Sequence, residues 1–206
     1  MRAASTTLLG VEATAAVHLR AEELEAALDH IRSSPTERGT LELIVRRPVV
    51  DGREVLTVGE LSIEEGLVGD SWRDRPYHRS PDGGPHPEMQ LNVINARLSR
   101  LVGGGDPELM ALSGDQLHVD LDLSFANLPA GTRLAIGDAV IEVTEEPHTG
   151  CKKFASRYGP EALRFVNIGA GHELRLRGLN AKVVVAGAIH AGDRVTKLRP
   201  GGLLPG

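Results

Sequence analysis

The single cysteine of the chain, Cys151, stands among residues that favour thiol chemistry. It follows His148 by three positions and is followed directly by Lys152 and Lys153. The chain has no second thiol with which Cys151 could form an internal disulfide. Positive charge favours the thiolate over the thiol, and the thiolate is both the nucleophile and the metal ligand. The segment therefore predicts a reactive or metal-ligating cysteine.

Plainer interpretations of the same residues stay open. An isolated cysteine is commonly a small buried hydrophobic residue, and a loop histidine is more often hydrogen-bonded than catalytic. The surrounding segment, however, is polar and interrupted by glycine and proline, which argues against a buried thiol. We predict Cys151 and His148 as catalytic residues, with His148 orienting or protonating the site.

The elements around Cys151 predict its place in the fold. Residues 139–144 alternate apolar and polar side chains like a half-buried strand. Residues 151–158 have the composition of a short helix, which Gly159 and Pro160 end. Cys151 is then expected at a strand-to-helix junction, where the positive end of the helix dipole adds to the effect of the two lysines.

Composition limits the class of protein. With 206 residues, 41% of them apolar, the chain can bury the core of one large domain. A net charge of -5, dispersed lysines and arginines, and 3% aromatic residues argue against nucleic-acid binding. The first twenty residues do not read as a secretion signal, and no apolar stretch reaches membrane-spanning length. We expect a cytoplasmic protein with no membrane segment.

Hydrophobic periodicity predicts a helix followed by many short strands. Residues 21–32 have the pattern of an amphipathic helix that Ser33, Ser34 and Pro35 end, and we assign residues 1–38 to an N-terminal helical extension. Short strands with unequal connections favour a mainly β fold with a closed or nearly closed barrel at residues 39–198. Strands are predicted at 41–45, 54–58, 61–63, 90–94, 133–136, 139–144, 182–185 and 194–198, and helices at 95–102, 107–112, 151–158 and 160–167.

Two segments fall outside this pattern. Residues 74–87 contain four prolines and cannot form a barrel strand, so this loop is either a lid over a site or an insertion. Residues 199–206 are rich in glycine and proline and are predicted to be a flexible tail.

Several segments, taken in order, resemble the MOSC family, the domain named for the C-terminal part of molybdenum cofactor sulfurase. The segments are residues 65–70, 114–117, 128–138, 177–181 and 187–195, with Cys151 after the central strand. The resemblance covers about residues 40–198. It implies a β-barrel of the pyruvate-kinase barrel type in which the cysteine faces a cleft.

The resemblance implies two activities between which the sequence does not choose. Family members are regarded as sulfur carriers, which hold sulfur as a cysteine persulfide, or as molybdenum cofactor proteins in which that cysteine ligates the metal. Cys151 occupies the matching position, so persulfide sulfur on Cys151 and the molybdenum cofactor are the two cofactors implied. If molybdenum is bound, the resemblance suggests reduction of N-hydroxylated compounds.

Residues beside the matched segments are candidates for holding a cofactor. Arginine in particular binds phosphate through two parallel hydrogen bonds, although each of these residues could instead be part of a solvated surface or cap a turn. The chain departs from the family in Ser71-Trp72, where relatives often carry a histidine, and in Asp115-Gln116, where they carry Glu-Asn. The predicted cofactor-binding residues are Lys152, Lys153, Arg177, Asp70 and Asp115; Arg73, Arg75, Arg157 and Arg175 are further cations near these segments.

Rival functions belong to other classes of protein. One is a non-catalytic barrel that binds a small ligand or a partner protein, with Cys151 an incidental thiol. Another is a subunit that docks on a sulfur donor or on a further copy of itself through the helix at 21–32. Expected partners are a small-molecule substrate or a sulfur donor or acceptor protein, and a homo-oligomer is left open. The histidines share no familiar zinc-ligand spacing.

Overall fold

The computed structural model describes residues 16, 18–77 and 83–199, in which strands predominate. The strands are β1 Arg38–Arg46, β2 Glu54–Leu56, β3 Val58–Ser62, β4 Gly66–Leu67, β5 Leu91–Asn95, β6 Leu117–Asp120, β7 Arg133–Ile136, β8 Ala139–Val143, β9 Leu179–Val185, β10 Gly187–His190 and β11 Arg194–Lys197. The helices are α1 Ala21–Ala26, α2 Leu28–Arg32, α3 Ala96–Val102, α4 Pro107–Ala111, α5 Lys152–Tyr158, α6 Pro160–Asn167 and α7 Ala170–Glu173, with 3-10 helices at Ser71–Asp74 and Pro87–Met89.

Seven strands close into a mixed barrel in the order β11-β7-β8-β9-β5-β6-β1. Closure depends on the long strand β1, whose first residues pair with β11 and whose later residues pair with β6. The β5–β6 pair is parallel and the others are antiparallel. Alternating apolar side chains fill the interior, among them Leu41, Val93, Leu134 and Ile141. The predicted mainly β barrel is confirmed.

A three-stranded sheet, β10-β3-β4, packs on the barrel. Leu61, Leu67 and Ile189 from its strands are fully buried in the same core as the barrel residues. Gly59 permits the close approach, because a Cβ there would lie 2.9 Å from Leu67 and 3.3 Å from Ile44. The sheet therefore belongs to the barrel domain.

The helices build a second core against the outside of the barrel. Leu24 and Ile31 of the N-terminal helices pack with Leu98, Phe154 and Val166, all buried. The apolar stripe predicted for residues 21–32 is thus buried, although Ala27 divides the helix into α1 and α2. This layer fixes α5 and α6, which carry the residues around Cys151.

Six short elements were not predicted: β4, β6, β10, α7 and the two 3-10 helices. The predicted strand at 54–58 is two strands, because the chain turns at Thr57. The proposed division at residues 38 and 39 coincides with the first residue of β1 but stays a prediction. Residues 78–82 of the proline-rich loop and 200–206 of the tail lie outside the described residues. Within the described ranges, no helix combines the length and the apolar character needed to cross a membrane.

Candidate functional site

Cys151 is exposed and immediately precedes α5, with extended backbone angles. The helix is held in place by Phe154, which is buried in the helical core. The preceding residue, Gly150, is held by the last residue of α6, because Asn167 accepts a hydrogen bond from its N–H at 2.9 Å and donates to its carbonyl oxygen at 3.3 Å. A Cβ on Gly150 would lie 2.6 Å from Leu163, so only glycine fits there without movement. The fold therefore fixes where the thiol emerges.

Cys151 and His148 line one cleft of about 390 Å³. The cleft lies between the β1–β2 connection, the loop before β6, α5 and the segment before β9. Positively charged side chains dominate its lining, and among the described residues Asp51 is the one acidic residue that lines it. The cations are Arg47, Arg53, Arg75, Lys153, Arg157 and Arg177. We call this surface the cationic cleft.

Arg47 is a rigid part of the cationic cleft. Its guanidinium binds both carboxylate oxygens of Asp70, at 2.8 and 2.9 Å, and both side chains are buried. A further nitrogen donates to Asn92 at 2.7 Å and to the carbonyl of Gly114 at 2.8 Å. Asp70 also caps the 3-10 helix Ser71–Asp74, because its side chain accepts from the backbone N–H of Trp72. Asp70 thus holds Arg47 in position but does not itself line the cleft.

Asp115 organises the opposite wall from a fully buried position. One nitrogen of Arg177 donates to both carboxylate oxygens at 2.8 Å, and His148 Nε2 lies 2.7 Å from Oδ1. Burial alone would raise the pKa of Asp115, but the Arg177 charge and the His148 hydrogen bond lower it overall. Asp115 is therefore an anion at neutral pH and holds both neighbours.

The ionised Asp115 also sets the tautomer of His148, while burial keeps its ring neutral. Burial, helped by the Arg177 charge, lowers the pKa of His148, so the imidazole is neutral at pH 7. A carboxylate can only accept, so we assign the imidazole proton to Nε2, which donates to Asp115. Nδ1 then carries the lone pair, which can accept a hydrogen bond or a proton.

Four of the six cations of the cleft, Lys153 among them, have no buried carboxylate partner among the described residues. Arg53 Nε is buried without a hydrogen-bond partner, and burial, together with Arg157 and Arg47, lowers the pKa of this guanidinium. Arg75 binds only the hydroxyl of Ser71 among the described residues. Arg157 donates to the exposed Asp51 at 3.0 Å. The cleft therefore concentrates positive charge that the protein itself only partly neutralises.

The predicted site residues separate into three groups. Cys151, His148, Lys153 and Arg177 meet in the cationic cleft. Asp70 and Asp115 lie behind its walls, and the exposed Lys152 does not line it. Lys153 Nζ lies 3.2 Å from Asp51, which is its ion-pair partner. Trp72, which stands where relatives often carry a histidine, is buried and donates from its indole N–H to the carbonyl of His86 at 3.3 Å.

Sequence reasoning missed Arg47 and Arg53. Both flank the β1–β2 connection, far from Cys151 in the chain, and only barrel closure brings them to it. One signal existed, since Arg47 directly follows a strongly apolar strand and precedes Pro48. In the part of the chain that the structure describes, no three His, Cys, Asp or Glu side chains are grouped to hold a metal ion.

Comparisons with known proteins agree with this architecture. The sequence profile of the MOSC domain matches residues 86–196. Two similar solved structures are the YuaD protein from Bacillus subtilis, 17% identical over 77% of this chain and 94% of that one with a TM-score of 0.55, and YiiM from Escherichia coli, 18% identical over 79% and 70% with a TM-score of 0.51. At these identities the likeness shows the fold. Comparison with curated proteins finds no match.

Proposed function

The chain belongs to the MOSC domain family, and we propose that it binds the molybdenum cofactor in the cationic cleft, with the Cys151 thiolate as a ligand of molybdenum. One observation carries the proposal: the exposed thiol shares its cleft with six cationic side chains and one acidic one. A thiol that only relays sulfur needs access but no such charge. A cofactor that bears phosphate needs both.

The residues of the cleft fit a phosphate-bearing ligand. Arg53 and Arg177 each keep a buried Nε without a partner among the described residues, and an unpaired buried donor costs about 1–3 kcal/mol. A ligand that accepts these hydrogen bonds recovers part of that cost. The volume of about 390 Å³ lies in the range of small-molecule sites, roughly 300–1,000 Å³.

The donor set also fits a metal that arrives within an organic cofactor. The cleft supplies one thiolate sulfur, a soft ligand that suits a sulfur-seeking metal. No cage of histidines and carboxylates stands beside it within the described ranges. A bare ion would thus lack ligands, whereas a pterin dithiolene brings its own. When bound, the cofactor supplies two-electron chemistry at the metal.

The protein's own residues have separate tasks in this proposal. Cys151 would ligate the metal, and Arg53, Arg157 and Lys153 would bind the phosphate of the cofactor. His148, neutral and fixed by Asp115, accepts a hydrogen bond or a proton at Nδ1. Because burial lowers its pKa, a proton taken up there is readily released.

The family resemblance extends the proposal to a reaction. Reducing an N-hydroxylated compound to the amine consumes two electrons and two protons and releases water. His148 is the titratable side chain of the cleft best suited to pass one of these protons, since the guanidinium groups stay charged. We therefore propose His148 as the acid–base residue of that reaction.

Elemental analysis tests the proposal. We expect anaerobically purified protein to contain near-stoichiometric molybdenum and Cys151→Ser to retain only a minor fraction of it, bound through the cationic side chains. Ser156→Ala, on the same helix but outside the cleft lining, is the matched control and should keep the metal. Molybdenum content that is equal in the parent and in Cys151→Ser would refute the role of the thiolate.

A second candidate function rests on the exposure of Cys151. An exposed thiolate can attack the outer sulfur of a persulfide on a donor protein, take that sulfur as its own persulfide and release the donor's thiolate. Intact mass measured on the same samples separates the two functions. No metal, but a Cys151-dependent gain of one sulfur, would make the protein a sulfur carrier. Neither signal after incubation with a sulfur donor or a cofactor source would favour a ligand-binding barrel.

A further inference from the structure

A second cavity, of about 310 Å³, lies against the wall of the cationic cleft. His148 and Arg177 line both spaces, so the two spaces adjoin at these side chains. Their shared partner Asp115 holds both side chains in place through hydrogen bonds of 2.7 and 2.8 Å. A molecule in the second cavity would contact His148 where the two spaces adjoin.

The lining of the second cavity is mostly hydrocarbon. Its charged groups are two guanidinium groups, of Arg175 and Arg177, and two carboxylates, of Glu145 and Glu146, so the charges balance. Such a cavity favours a neutral ligand over an ion. Its apolar lining residues are Phe125, Pro129, Ala130, Pro147, Val166 and Leu179.

Arg175 and Phe125 form a stacked pair in this cavity. The guanidinium carbon of Arg175 lies 3.9 Å from the centroid of the Phe125 ring, and the ring is 50% exposed despite being large and apolar. The ring of His172 lies 5.5 Å from that of Phe125. Flat aromatic and guanidinium surfaces of this kind stack with planar molecules.

The backbone at Arg175 has a conformation that is unfavourable for a residue with a side chain. Its φ of 49° lies in the left-handed region, which costs a non-glycine residue roughly 1–2 kcal/mol. Glycine would relieve that cost. The guanidinium forms no ion pair among the described residues and donates to the carbonyl of Leu128 at 2.8 Å. One hydrogen bond to a peptide carbonyl does no more than offset the cost of this backbone conformation. Stacking on Phe125 is the other interaction that the Arg175 guanidinium makes among the described residues.

We propose that the second cavity is the substrate pocket, and that it takes a neutral, planar aromatic molecule stacked on the Arg175–Phe125 pair with its reacting group toward His148. The assignment rests on the proposed function, because the cofactor in the cationic cleft is what would act on that group. Asp115 is then a positioning residue for both spaces, through His148 and Arg177.

Titration with a matched pair of probes tests this pocket. Benzamide and its saturated counterpart cyclohexanecarboxamide are added to the isotope-labelled full-length protein and followed by NMR. Benzamide should bind more tightly and shift the His148 and Phe125 signals. Phe125→Leu and Arg175→Gly should each weaken benzamide binding about three- to tenfold, and glycine suits the backbone at 175. Arg194→Gln, an exposed change outside the cavity, should leave binding unchanged.

The outcomes separate this inference from the proposed function. Equal binding of the two probes, or benzamide binding that both variants leave intact, overturns the pocket. Cys151→Ser should bind benzamide like the parent, because Cys151 does not line this cavity. Molybdenum present without selective benzamide binding overturns the pocket alone, and selective binding without molybdenum overturns the proposed cofactor but supports the pocket as a site for planar ligands.

Discussion

His148 Nε2 lies 2.7 Å from Oδ1 of the fully buried Asp115. The bond fixes the imidazole tautomer and leaves Nδ1 as the free acceptor. The same carboxylate pairs with Arg177, so one buried anion fixes the position of two residues that line both cavities and the tautomer of one of them. The geometry of the cleft thus depends on Asp115, which is buried and does not itself line it.

Replacing Asp115 should destabilise the whole protein. Asp115→Asn leaves Arg177 as a buried charge without its partner, and breaking a buried pair in this way costs about 3–5 kcal/mol. Urea denaturation measures the loss in the free energy of unfolding. Asp138→Asn, at an exposed turn, is the control and should change it by less than about 0.5 kcal/mol. A similar small effect at Asp115 would contradict the buried pair.

Asp51 should compete with anionic ligands for the cationic cleft. Its exposed carboxylate lies near Lys153 and Arg157, at 3.2 and 3.0 Å, where a phosphate would make the same contacts. Asp51→Asn removes the competitor and should tighten pyrophosphate binding about two- to fivefold at low salt, in line with exposed pairs worth below about 1 kcal/mol. Calorimetric titration of the metal-free protein measures the change.

Replacing Arg53 should have the opposite effect on pyrophosphate binding to that of replacing Asp51. Its guanidinium has no carboxylate partner among the described residues, so Arg53→Gln strands no anion and should weaken pyrophosphate binding. Arg133→Gln, at an exposed ion pair with Glu142, is the matched control. Unchanged affinity in Arg53→Gln, or weaker binding in Asp51→Asn, would show that pyrophosphate binds elsewhere.

Asn167 should control the position of Cys151. Asn167→Ala removes both hydrogen bonds to Gly150, each worth about 1 kcal/mol. We expect a loss of roughly 1–2 kcal/mol in the free energy of unfolding and a lower molybdenum content, while the thiol still reacts with iodoacetamide. Full molybdenum occupancy in Asn167→Ala would show that the two hydrogen bonds between Asn167 and Gly150 do not position the thiol.

Acid should destabilise the fold through His118. His118 is fully buried and bonded to Ser99 Oγ at 2.8 Å, and burial lowers its pKa from 6.5 to about 4. Between these values the unfolded chain binds the proton and the folded chain does not, so stability falls as pH drops from 6.5 to 4. The full contribution is on the order of 3 kcal/mol.

Urea denaturation at several pH values tests this window. His118→Gln has no titrating ring and should show a shallower loss of stability between pH 6.5 and 4 than the parent. His148, whose pKa is also lowered by burial, adds to the slope in the same direction. Identical slopes for the parent and His118→Gln would contradict the assignment.

The barrel could be predicted from sequence because its strands carry their own signal. β7 and β8 alternate or concentrate apolar residues between turn residues, and they form as predicted. β6 was missed because its residues include His118 and Asp120, whose burial depends on partners elsewhere in the chain. β4 has two residues, too few for any periodicity.

The site, like the fold, could be predicted only where the signal lies in neighbouring residues. Cys151 and His148 are close in sequence, so their spacing alone indicated shared chemistry. Arg47 and Arg53 reach them only through strand pairing that closes the barrel. The tasks of Lys153 and Asp115 depend on partners far along the chain, Asp51 and Arg177, which no local pattern reveals.

The most direct test of the central claim is X-ray absorption at the molybdenum edge. Parent protein and Cys151→Ser, each loaded with the cofactor under the same anaerobic conditions, are compared for the sulfur neighbours of the metal. We predict one sulfur neighbour fewer in Cys151→Ser, with the other sulfur neighbours retained. The same number of sulfur neighbours in both proteins would contradict ligation of molybdenum by the Cys151 thiolate.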